Sequence, residues 1–172
     1  MSSDEKRPQL LWWVAGIATA ATLVADFVLE RGTNGALRIV GVCVVLLAPV
    51  FFVPPFFLLK KHGAVEPGQS YFCTTRVVDR GIYGVVRHPQ YVGYSLLAIG
   101  FAMRTQHAVS WALAAAAAAF FYLQARREDT FCARQLGDDY VAYTRRVPRF
   151  NFVLGLIRHL RRGSRSGGRG RT

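Results

Sequence analysis

Negative charge is in short supply in this chain of 172 residues: 10 Asp+Glu stand against 22 Lys+Arg, a formal charge of +12. Cysteine is scarce as well. The three present, Cys43, Cys73 and Cys132, form no CxxC pair and no Cys/His ligand spacing. That excludes a disulfide scaffold and leaves structural zinc, or any other metal, without support. Charged residues make up only 19% of the chain and are missing altogether from residues 39–59. This absence excludes an ordinary soluble globule. What fills the space is apolar: 52% of residues, and about 61% with glycine added, above the ~45–50% of soluble domains. Disorder is excluded over most of the chain by the same richness. The composition predicts an all-α, multi-pass integral membrane protein.

Residues 10–29 carry one charge, Asp26, and residues 39–59 none. At ~1.5 Å per residue, each run covers the ~30 Å hydrocarbon thickness of a bilayer. Pro49, Pro54 and Pro55 predict a kink or broken turn in the second run. Two shorter apolar segments follow at 91–103 and 108–123, divided by Arg-Thr-Gln-His. They are expected to lean together as a helical hairpin that either dips deep or just crosses, for about four transmembrane helices in all. The first run resembles a secretory leader in its basic start, but its apolar stretch continues past the Ala18-Thr19-Ala20 site, as a span does.

Of the 22 Lys+Arg, only Arg31, Arg38 and Arg104 fall in the loops between spans one and two and between three and four. The other 19 precede the first span, lie between spans two and three, or follow the fourth. The positive-inside rule then places both termini and the 60–90 loop in the cytosol. The tail at 161–172 has five arginines and no apolar residue, and is expected to be disordered. Its Arg/Gly content resembles RNA-binding tracts. Its place after membrane spans points instead to anionic lipid headgroups, with no nucleic acid expected. Before it, Phe152, Val153, Leu156, Ile157 and Leu160 repeat at helical spacing beside Arg158 and Arg161, which predicts an interfacial helix.

Two stretches carry groups able to do chemistry. The first is Gly-Ile-Tyr-Gly-Val-Val-Arg-His-Pro-Gln-Tyr-Val-Gly, residues 81–93. Pro89 suits the first position of a helix, which puts Arg87 and His88 at or just before a helix N-terminus. Backbone N–H groups and the positive dipole end there favour an anion, and a guanidinium and imidazole strengthen the corner. Tyr83, Tyr91 and Tyr94 offer ring faces to a base or cation. The same residues also suit a plain positive-inside Arg-His pair with interfacial tyrosines.

The second stretch is residues 126–150. Helical spacing aligns Phe121, Gln124, Glu128 and Phe131, which predicts that Glu128 turns inward. Glu128 and Asp129 fall at the end of the fourth apolar segment, where acids oppose the dipole unless the helix continues. A solvated Arg-Glu-Asp surface run fits the spacing too. Tyr140, Tyr143, Arg146 and Arg149 are expected to cap or line the same mouth.

Together, Gly81, Tyr83, Arg87, His88, Pro89, Tyr91 and Gly93, followed by Arg127-Glu128-Asp129, Phe131, Leu136-Gly137, Tyr140-Val141-Ala142-Tyr143 and Val147-Pro148, resemble the isoprenylcysteine carboxyl methyltransferase and phospholipid methyltransferase superfamily. The resemblance covers about residues 75–150. It implies S-adenosylmethionine-dependent methyl transfer to a hydrophobic acceptor that enters from the bilayer. Arg87, His88 and Glu128 are then the catalytic candidates. Arg87, His88 and Tyr91, with Pro89 beside them, would hold the carboxylate end of the cofactor. Glu128, with Asp129, would bind its amino or ribose groups, and Tyr83 would shape the adenosine pocket. Arg149 and Tyr143 are the acceptor-binding candidates. Two positions depart from the family pattern. Asp129 replaces the second Glu, and Asn151-Phe152 replaces the proline that follows the Val-Pro turn.

The expected organisation is an N-terminal two-helix membrane hairpin (1–59), a methyltransferase-like region with a helical hairpin (60–150), and an interfacial helix with a basic tail (151–172). Two other functions stay open on the sequence: an NADPH-dependent membrane reductase, whose C-terminal segments look similar around Arg-His-Pro-x-Tyr, and a non-catalytic four-helix membrane subunit with a lipid-binding tail.

Overall fold

The structure, a computed structural model, describes residues 3–63 and 76–167, with side chains over 10–63 and 76–161. Cys73 and the last five residues of the basic tail lie outside the described residues. Among the described residues, six helices account for the regular structure: α1 (Ser3–Val28), α2 (Gly35–Leu47), α3 (Pro49–His62), α4 (Pro89–Thr105), α5 (Ala108–Arg146) and α6 (Phe152–Gly167), with a 3-10 turn at Gly81–Gly84. Among the described residues there is no strand.

Among the described residues, three helical stretches are long and apolar enough to cross a membrane: Leu10–Val28, Gly35–His62 and Ala108–Arg146. Helix α4, with 17 residues, is about 26 Å long, just short of the ~30 Å core. The outward faces are those of a membrane protein. Ile17, Phe27, Leu46 and Phe57 are all more than 60% exposed, which is unfavourable in water and natural against lipid. The proline-rich run breaks at one place. Pro49 starts α3 after the single residue Ala48, whereas Pro54 and Pro55 stay inside the helix.

The helices divide into two units, Met1–Val53 with Gln90–Asp129, and Pro54–Pro89 with Thr130–Thr172. In the first, α1 turns a stripe of small residues inward: Ala15, Ala18, Thr19, Thr22 and Ala25 are buried. Close backbone contact joins α2 to α4. A methyl group added at Gly100 would lie 3.0 Å from the Gly41 carbonyl, and one at Gly93 would lie 3.0 Å from the Ala48 carbonyl. Positions 41 and 48, and 93 and 100, are each two turns apart, so the two helices run antiparallel with glycine at the contact.

Asp26, the one charge of the first apolar run, is fully buried in this unit. Its Oδ2 lies 2.9 Å from an Arg104 guanidinium nitrogen and 3.5 Å from one of Arg31. Oδ1 accepts from the Thr105 hydroxyl at 3.3 Å. Nearby, the Gln106 side chain clasps the backbone of Asn34, donating to its carbonyl at 2.7 Å and accepting from its amide at 3.1 Å. Two of the three basic residues on the sparsely charged side of the chain are therefore engaged by one carboxylate.

In the second unit, Tyr140, Tyr143 and Val147 form a core against which Val77, Cys132, Ala133 and Leu136 pack. Helix α5 is much longer than the apolar segment at 108–123 implied: it runs 39 residues, with a kink where Gly137 takes φ 61. Helix α6 likewise runs on to Gly167, through part of the tail expected to be disordered. Asn151 starts it, its side-chain oxygen accepting from the Leu154 amide at 2.9 Å. The residue that replaces the family's proline is thus an N-cap.

Candidate functional site

The Gly81–Gly93 stretch begins with Gly81 at φ 57, entering the 3-10 turn. Tyr83 is buried on that turn, and its carbonyl accepts from the Tyr143 hydroxyl at 2.7 Å. Next, the amides of Arg87 and His88 donate to the carbonyls of Pro148 and Arg149, at 3.0 and 3.4 Å. The Arg-His-Pro and Val-Pro motifs, some sixty positions apart in sequence, thus lie side by side. Arg87 and Arg149 are half-buried, while His88 and Pro89 are buried, and Pro89 is the first residue of α4 as its chemistry predicts. The amides of Arg87 and His88 are already committed, so an anion at this corner would rely on side chains and on the amides that follow. Tyr140 and Tyr143 face the core, and Arg146 turns to Asp79 at 3.5 Å.

The other candidate residues lie in the first unit. Because α5 continues to Arg146, Glu128 and Asp129 sit in mid-helix, away from the negative end of the helix dipole. Phe121, Gln124 and Ala125 are buried, Glu128 is half-buried and Asp129 is buried. Phe131 departs from the expected inward face: it is 64% exposed. The Tyr91 hydroxyl donates to Oε1 of Glu128. The Gln124 amide group donates to the same oxygen at 3.2 Å. Gln124 Oε1 is buried and, among the described residues, accepts no hydrogen bond. Spacing had placed Gln124 on the face of Glu128 but gave it no role; the i, i+4 relation was the signal for it.

An aromatic stack adjoins this polar cluster. Tyr91 lies on Phe121 with ring centres 5.4 Å apart, and Tyr94 lies on Phe121 at 5.6 Å. Phe121 and Tyr94 also line an apolar groove of about 340 Å³, with Trp12, Gly16, Leu23 and Phe101 among its walls. That volume is in the range of small-molecule sites. Sequence reading did not find the groove, since α1 matched only as a hydrophobic helix. Nor do the described residues include any group of three His, Cys, Asp or Glu side chains placed to hold a metal ion.

Comparison with known proteins adds three findings. Residues 37–139 match the phospholipid methyltransferase family model. A protein-S-isoprenylcysteine O-methyltransferase of Schizosaccharomyces pombe is 32% identical over 99 residues, covering 52% of this chain and 42% of the relative. A Delta(14)-sterol reductase of Dictyostelium discoideum is 29% identical over 119 residues, covering 64% of this chain and 22% of the relative. The chain therefore spans less than half the length of either relative. No solved structure matches. The matched segment is more than half of the chain and takes in α4, most of α5 and both candidate sets except Tyr143 and Arg149, and with it the chain belongs to the phospholipid methyltransferase family.

Proposed function

We propose that this protein transfers a methyl group from S-adenosylmethionine to a lipophilic acceptor held in the membrane. The observation that carries this reading is the double use of Phe121. One neighbour of its ring is Tyr91, which binds the Glu128 carboxylate; the other is Tyr94, which lines the apolar groove. A polar cluster and a hydrocarbon-lined groove thus share one aromatic wall, as a reaction between a charged cosubstrate and a lipid-like acceptor needs.

The residues present fit such a cosubstrate. Gln124 Oε1 is a buried acceptor without a donor among the described residues, and it neighbours a carboxylate. Leaving such an atom unpaired costs about 1–3 kcal/mol, which an ammonium or ribose hydroxyl would offset. Glu128 supplies the charge for an ammonium, and the rings of Tyr91 and Tyr94 suit a sulfonium. Arg87, His88 and Tyr91, with Pro89 beside them, are proposed for the carboxylate end, Tyr83 for the adenosine pocket, and Asp129 beside Glu128 for the amino or ribose groups, on the strength of the sequence resemblance. When bound, S-adenosylmethionine supplies an electrophilic methyl group that needs no metal. The chain's part is to orient the acceptor and exclude water. A carboxylate acceptor would need no base; for an amine or thiol, His88 or Glu128 is the candidate to take the proton. Arg149 is proposed to orient an acidic acceptor. The positive-inside count supports placing the loop at 81–88 in the cytosol, where the cosubstrate is made.

Calorimetry with S-adenosylhomocysteine on protein in lipid nanodiscs tests this directly. Micromolar or tighter binding is expected, weakened by both His88→Ala and Glu128→Ala; no heat of binding to the intact protein would defeat the reading. The sterol reductase relative keeps a second reading in play, a nicotinamide-dependent reductase. Thermal protection by NADPH but not by S-adenosylhomocysteine would decide for it. Incubating membranes with methyl-labelled S-adenosylmethionine then identifies the acceptor.

A further inference from the structure

Helix α6 takes no part in the proposed reaction, yet it is strongly amphipathic and, among the described residues, its apolar stripe is exposed. Val153, Leu156, Ile157 and Leu160 follow one another at i, i+3, i+4 and i+7, and each is 44–63% exposed. Arg161, exposed, stands at one edge of the stripe, about 90° from its middle, while Arg158 lies about 150° round, on the far side of the helix. A different face of the helix does the packing. A methyl group added at Gly155 would lie 1.8 Å from the Val85 carbonyl oxygen, so only glycine fits there. One turn on, the His159 ring lies against Gly84, where an added methyl would be 3.2 Å from it. At about 100° per residue, this Gly155–His159 face is roughly 130° around the helix from the middle of the apolar stripe. The stripe is thus not spent on holding α6 against the 81–88 loop.

An apolar stripe edged by Arg161, at the head of a tail with five arginines, matches one kind of surface closely. Anionic lipid offers hydrocarbon for the stripe and phosphate for the guanidinium groups. A polar protein groove offers the second without the first, and a hydrophobic one the reverse. We propose that α6 docks on an anionic bilayer surface and, through Gly155 and His159, steadies the 81–88 loop, making cofactor affinity depend on membrane charge. The last step rests on the assignment of that loop to the cofactor; the docking itself does not. Each arginine favours docking on an anionic surface by roughly fivefold.

The test uses the full chain in two kinds of nanodisc, phosphatidylcholine alone and phosphatidylcholine mixed with phosphatidylglycerol. Hydrogen exchange is followed at residues 153–160 and 81–88, with S-adenosylhomocysteine affinity measured on the same samples. Slower exchange in both segments is expected in the anionic discs, with tighter ligand binding. The variant Arg161→Glu, at an exposed position on the edge of the stripe, is expected to shrink that difference and leave the thermal stability in neutral discs unchanged. Equal protection of 153–160 in both discs, with a silent charge reversal, overturns the docking surface. A response at 153–160 with none at 81–88 overturns the coupling. If both segments respond but neither disc binds S-adenosylhomocysteine, the lipid surface stands and the cofactor assignment falls.

Discussion

The Tyr91 hydroxyl donates to Glu128 Oε1, tying the first turns of α4 to the middle of α5. The same oxygen receives the Gln124 amide at 3.2 Å, so the carboxylate is held from two directions. Glu128→Gln keeps the shape and removes the charge. S-adenosylhomocysteine affinity is expected to fall roughly tenfold or more, because charge-assisted hydrogen bonds are about twice as strong as neutral ones. Tyr91→Phe keeps the stack on Phe121 and leaves Gln124 in place, so its loss should be smaller. Wild-type affinity in Glu128→Gln would remove Glu128 from the cofactor site.

Gly16 offers a clean way to test the apolar groove. It lines the groove, and a methyl group added there meets no atom within 4 Å. Replacing glycine inside a helix also gains roughly 1 kcal/mol of helix propensity. Gly16→Leu should therefore fold at least as well as the parent while filling the groove with hydrocarbon. The expected signature is a higher KM for acceptors with long hydrocarbon chains, with S-adenosylhomocysteine affinity unchanged. An unaltered KM across acceptors of graded chain length would show that the groove does not seat the acceptor.

Asp26 and Arg104 are expected to respond unequally to truncation. Asp26 has no exposed side-chain surface, whereas Arg104 retains 27% and Arg31 41%. Arg104→Leu leaves a buried carboxylate with Arg31 at 3.5 Å, and loss of one member of a buried pair costs about 3–5 kcal/mol. Asp26→Leu leaves two cations whose long side chains reach toward the surface, so it should cost less. Thermal unfolding in detergent of the two variants and of the double variant checks the order. A double variant more stable than Arg104→Leu alone is expected.

The all-helical membrane fold was legible because its cause is written locally. A run of about twenty apolar residues in a bilayer has no alternative to a helix. Pro89 as a helix start and the inward turn of Glu128 were readable for the same reason, each being set by its immediate neighbours. The extent of α5 was not, because the charged residues after Leu123 look like a surface run until they are seen to be helix, kinked at Gly137, with a buried core at Tyr140, Tyr143 and Val147. Phe131 shows the limit of spacing alone: its position on the periodic face did not bury it. The engagement of Asp26 by Arg31 and Arg104, and the packing of Gly155 on Val85, join residues with no shared local pattern, so only the assembled chain reveals them.

Tyr143 stands in the sequence as an acceptor-binding candidate, but it is buried to 3% exposure with its hydroxyl on the Tyr83 carbonyl. That contact makes it a positioning residue for the 81–88 loop. Tyr143→Phe keeps the ring in its core and strands a buried carbonyl, costing about 1–3 kcal/mol. In a chain of this size that corresponds to a fall in Tm of about 2–4 °C per kcal/mol. S-adenosylhomocysteine affinity is expected to fall together with Tm, because the loop loses its anchor. KM for the acceptor, measured at saturating cosubstrate, should stay at the parent value. The opposite pattern, a raised acceptor KM with Tm and cofactor affinity intact, would return Tyr143 to the acceptor site and show that its bond to Tyr83 gives way when the acceptor arrives.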